Sequence, residues 1–94
     1  MLSLIEHPVI KNAQTFWNNL EVRSWSVVNP SSVSFPDNLL CCIWEREHFY
    51  FELWFYGEGK YTYYFRPRNG SVESKYLPIT QLPKEEILQC ICVR

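Results

Sequence analysis

The sequence predicts an α+β fold: an antiparallel β-meander of four to five strands, an N-terminal helix packed on one of its faces, and a short C-terminal helix or strand. Three observations carry this. Apolar residues recur at helical spacing between Pro8 and Val22. Three runs rich in aromatic residues follow, from Leu39, Phe49 and Lys60. The breaks after the second and third runs are Gly57-Glu58-Gly59 and Asn69-Gly70, which turn strands back on themselves. The 94 residues suit a single domain, 1–94, near the size at which burial only just offsets chain entropy.

In the first element Val9, Ile10, Ala13, Phe16, Trp17 and Leu20 form the apolar stripe, with Lys11, Asn12, Gln14, Asn18 and Asn19 opposite. Pro8 fits the first turn, where a missing N–H costs least. Ser3 and Glu6 spell a capping box, but a helix begun there would hold Pro8 in its interior. Trp25 to Val28 alternates as a short strand, and NPSSVSFPDN reads as a loop, extended at Val33 to Phe35. LLCCIWER, FYFELWFY and KYTYYFRP are the meander strands. Gly57 to Gly59 is expected to be a three-residue hairpin loop with a glycine at positive φ, and Asn69-Gly70 a type I′ turn into the fourth run, SVESKY. In LPKEEILQCICV, Pro83, Glu85 and Glu86 precede Ile87, Leu88 and Ile91 as in a short helix, whose last residues are alternatively extended.

Closing the first hairpin with Tyr56 opposite Lys60 pairs Trp54 with Thr62, Glu52 with Tyr64 and Tyr50 with Arg66 on one face. The other face then carries Phe49, Phe51, Leu53 and Phe55 against Tyr61, Tyr63 and Phe65, and is the core side that receives the Phe16/Leu20 stripe. The type I′ turn would set Arg66 opposite Glu73 and Tyr64 opposite Lys75, adding both to the first of these faces. That second, non-core face is mixed and aromatic, and three readings stay open. It is solvated, with Lys60 and Arg66 over tyrosine and tryptophan rings; it is an interface, the setting in which Tyr, Trp and Arg are enriched; or the closing helix covers it. The candidate partner-binding residues are Tyr50, Glu52, Trp54, Tyr56, Lys60, Tyr64 and Arg66.

Nine basic and ten acidic residues leave a net charge of −1, no footprint for nucleic acid or an anionic membrane. MLSLIEHPVIKN has no basic leader and carries Glu6 early, and no run approaches a membrane span, so a cytoplasmic protein without a membrane partner is expected. Free thiols are the expectation for Cys41, Cys42, Cys90 and Cys92. A zinc site is disfavoured because neighbours in a strand point to opposite faces and helical residues two apart diverge by roughly 200°. His7, at a helix start, and His48, at a turn, suit capping or solvated imidazoles, and no phosphate loop, hydrolase elbow or metal helix is present. Neither an enzyme nor a cofactor is expected. The aromatic face makes single-stranded nucleic acid the alternative partner, although KYTYYFRPR lacks the glycines of an RNA-recognition strand.

The run PDNLLCCIWEREHFYFELWFYGEGKYTYYF resembles small bacterial proteins of toxin–antitoxin or defence-type two-gene loci. The likeness lies in Pro36-Asp37 before a hydrophobic strand, Trp44 ending it, Phe51-Glu52-Leu53 in an alternating strand, and the glycine turn Gly57 to Gly59. It covers about a third of the chain, and Asn38 stands where those proteins carry glycine. The resemblance implies a non-catalytic chain that binds and restrains a protein partner as an antitoxin, immunity protein or inhibitor, in a hetero-complex or as a homodimer.

Overall fold

The computed structural model describes residues 7–94; the Ser3/Glu6 capping box lies outside them. Helix α1 spans Pro8–Val22, with Pro8 in its first turn and His7 as N-cap, its Nδ1 accepting from the Val9 amide at 3.2 Å. The buried stripe is Val9, Ala13, Phe16 and Leu20. Phe16 meets Phe55 and Tyr61 edge-on, at 5.4 and 5.0 Å between ring centres. Pairs of this kind add roughly 0.5–1.5 kcal/mol to the area they bury, so the helix is seated on the core face as its spacing predicted.

The main sheet is a five-stranded antiparallel meander of β2 (Ser32–Ser34), β3 (Leu40–Glu45), β4 (Phe49–Phe55), β5 (Lys60–Pro67) and β6 (Glu73–Pro78), neighbours in that order. The β4–β5 register is the predicted one, with Trp54 opposite Thr62, Glu52 opposite Tyr64 and Tyr50 opposite Arg66. Gly59 takes the positive φ, 71°, in the hairpin loop. Phe51, Leu53, Phe55 and Tyr61 are completely buried on the core face.

Helix α2 (Glu85–Ile91) runs directly into β7 (Cys92–Val93), so the closing segment is helix and then strand. Ile87, Leu88 and Ile91 join the same cluster as Phe16 and Phe51. β7 pairs with β1 (Ser26–Val27) in a separate two-stranded sheet, tying the end of α1 to the last residues.

Two expectations are corrected. The NPSSVSFPDN connection contains the edge strand β2, which ends at Ser34 rather than Phe35. Pro36 fixes the backbone just beyond, and Asp37 and Asn38 both enter the left-handed region, at φ 51° and 63°. Such angles end strand pairing, and Asn tolerates them better than most residues.

The second correction is to β6. Asn69-Gly70 does not form a type I′ turn, since neither residue has the positive φ that turn demands. Phe65, not Arg66, lies opposite Glu73, and Lys75 faces Tyr63. β5 stays beside β4 as far as Pro67, and the Arg68 amide bonds to the His48 carbonyl at 2.9 Å. The preceding residue therefore turns its nitrogen towards β6, and as a proline it has no N–H to donate. The β5–β6 ladder stops at Phe65, and a longer loop bridges the gap. Gly70 is used there for closeness: a Cβ would stand 2.9 Å from Pro67 Cγ. The one-residue shift places Leu77 on the core face opposite Tyr61 and turns Tyr76 outward, which a hydrophobic pattern of period two enforces. Glu73 and Lys75 accordingly leave the second face. Glu73 meets Lys84 at 3.1 Å, and that hydrogen-bonded ammonium holds its carboxyl below the usual range.

Candidate partner-binding face

Strand alternation places Tyr50, Glu52, Trp54, Tyr64 and Arg66 on the second face, with Tyr56 and Lys60 at its hairpin end. The structure brings all seven predicted residues to one side of the sheet. Ser74, opposite Tyr64, takes the place expected for Lys75, and Tyr76 joins the face opposite Thr62. Cys41 and Ile43, opposite Trp54 and Glu52, extend the face across β3. Carrying the alternation one strand further back would have found both. Tyr76 was hidden by the mistaken turn.

Glu52 organises the centre. Its Oε1 accepts from the Trp54 indole N–H at 2.8 Å, and its Oε2 accepts from the Tyr50 hydroxyl. Tyr50 and Tyr64 meet edge-on at 6.1 Å, and the Arg66 guanidinium lies 5.0 Å above the Tyr50 ring. At the hairpin end Tyr56 bonds through its hydroxyl to Thr62 at 3.0 Å and meets Tyr76 edge-on at 5.7 Å. Lys60 lies 5.9 Å from the Tyr76 ring centre. The rings are half-buried except Tyr76, which is 61% exposed. Both helices bury their apolar residues in the cluster on the opposite side of the sheet, so the closing helix does not cover this face.

Donation to Glu52, more than burial or the carboxylate charge, pushes the Tyr50 hydroxyl from 10.0 to about 12. Burial is the main cause that lifts the Cys42 thiol from 9.0 to about 12, Tyr63 to about 12 and Cys92 to about 11. Groups that hold their protons more tightly when folded stabilise the fold fully below their ordinary values and stop doing so as pH rises through the folded ones. The melting temperature should therefore decline as pH climbs from about 9 to about 12. Melts across that window check this, and a flat profile would contradict it.

All four cysteines are free thiols. Cys42 and Cys92 belong to the core cluster, Cys41 is buried within the second face opposite Trp54, and Cys90 donates to the Glu86 carbonyl at 3.4 Å. Among the described residues no group of three or more metal-ligating side chains assembles. A thiol reagent at pH 8 should label Cys41, Cys42 and Cys92 only after denaturation, and a chelator should leave the melting curve unchanged. Mass spectrometry of the labelled protein and a melt with chelator check the two outcomes.

The chain matches no family model, and neither a curated protein nor a solved structure matches it. Among the described residues no helix is long and apolar enough to cross a membrane.

Proposed function

We propose that this chain is a non-catalytic protein-binding module that restrains a partner protein, in the manner of an antitoxin, immunity protein or inhibitor, through the second sheet face. The observation that carries this reading is the uncovered cluster of tyrosines and Trp54 held in place around Glu52. Aromatic side chains already fixed by hydrogen bonds and ring contacts lose little rotamer freedom on docking, and they offer large area per residue. The rings share one contiguous side of the sheet instead of standing singly on the surface. Single-stranded nucleic acid fits it less well, because a carboxylate sits among the rings and the net charge is −1.

The test is co-purification from the native host with the parent chain and Tyr64→Ala as paired baits, followed by identification of the captured protein. The parent should retain a protein that Tyr64→Ala loses, with only a mild dependence on salt. Capture that falls steeply with salt and disappears after nuclease treatment would point to nucleic acid instead. Equal capture by both baits would argue against this face.

A further inference from the structure

Glu52 sits in the middle of the aromatic face with no cation beside it. Among the described residues Glu47, Glu73 and Glu85 each have a basic partner within 4.0 Å; of the carboxylates without one, Glu21, Asp37, Glu45, Glu58 and Glu86 are exposed and Glu52 is half-buried. The two cations nearest in the sheet register are held elsewhere, Arg66 above the Tyr50 ring and Lys60 beside Tyr76. In the free protein water reaches the half-buried carboxylate. A partner that covers the face removes that water, and an unpaired carboxylate under an interface is among the most unfavourable things a complex can contain. A partner docking here must therefore bring its own cation to this point.

The hydrogen bonds around Glu52 say which cation. A carboxylate offers about four lone-pair sites over its two oxygens. Trp54 uses one on Oε1 and Tyr50 one on Oε2, leaving one acceptor site on each oxygen. Two parallel N–H donors satisfy that pair, which is the fork of a guanidinium and not the point charge of an ammonium. The flanking rings of Tyr50, Tyr64 and Trp54 suit a planar cation that stacks on aromatic faces. On the reading of this face as a docking surface, we infer that the partner is a protein presenting an arginine whose guanidinium pairs bidentately with Glu52, between the rings of β4 and β5.

The experiment uses the ¹⁵N-labelled chain and N-acetyl-arginine amide as the probe, with its neutral isostere N-acetyl-citrulline amide alongside. The Trp54 indole N–H reports directly, because it donates to the same carboxylate. Titration with the arginine amide in the millimolar range should move that cross-peak saturably, and citrulline should leave it in place. Glu52→Gln should weaken the response at least tenfold, whereas Glu45→Gln, which removes an exposed carboxylate from the neighbouring row, should not. Should Glu52→Gln fail to fold, the arginine against citrulline comparison on the parent chain decides alone. A stationary indole peak, an equal response to citrulline, an equal response to N-acetyl-lysine amide, or equal losses in the two glutamine variants would each overturn the assignment. The docking reading is judged separately by the Tyr64→Ala capture, so a partner lost by that variant but bound undiminished by Glu52→Gln would leave the face standing and remove the arginine.

Discussion

Phe51→Ala is expected to destabilise the fold by roughly 3–5 kcal/mol. The ring is completely buried at the middle of β4, 5.6 Å from Trp44, 5.9 Å from Tyr63 and 6.1 Å from Phe65. Its removal subtracts transfer free energy and leaves a cavity walled by rigid rings that cannot collapse far, which places the loss in the upper part of that range. Against the 5–15 kcal/mol typical of natural domains, such a change threatens the native state outright. Denaturant unfolding of the variant measures it directly, and a midpoint close to the parent's would contradict the packing described.

Trp44→Ala should be as severe, and for two reasons that can be separated. The indole is completely buried against Phe51, and its Nε1–H donates to the Val28 carbonyl at 2.7 Å. Truncation opens a cavity, at roughly 3–5 kcal/mol, and also strips that carbonyl of its donor. Trp44→Phe keeps most of the volume and loses the hydrogen bond, so it should fall by only about 1–3 kcal/mol. Comparing unfolding curves of the two variants apportions the effect. Equal losses would mean that the hydrogen bond, not the packing, dominates, contrary to the expectation here.

Local patterns explain what the sequence made legible. The α1 stripe has period 3.6 and bounds set by Pro8, and the β4–β5 hairpin has strict alternation closed by a glycine loop. Both signals are complete within one segment, so element and register followed. β6 went astray because Asn69-Gly70 is a strong turn signal on its own, and the feature that overrides it, the missing N–H of Pro67, acts only through the direction in which β5 faces its two neighbours. The pairing of β1 with β7 joins residues more than sixty positions apart, a contact that no periodicity announces. On the candidate face, alternation alone gathered the seven side chains. The bonds from Trp54 and Tyr50 to Glu52 depend on rotamers, which periodicity does not encode.

One comparison bears most directly on whether this face exists to receive a partner: the affinity of Trp54→Ala for the protein captured by the parent chain, measured alongside its melting temperature. A docking face predicts binding weakened by about 2 kcal/mol or more while the melting temperature stays near the parent's and far above that of Phe51→Ala. Undiminished affinity, or a melting temperature that collapses with Phe51→Ala, would contradict it.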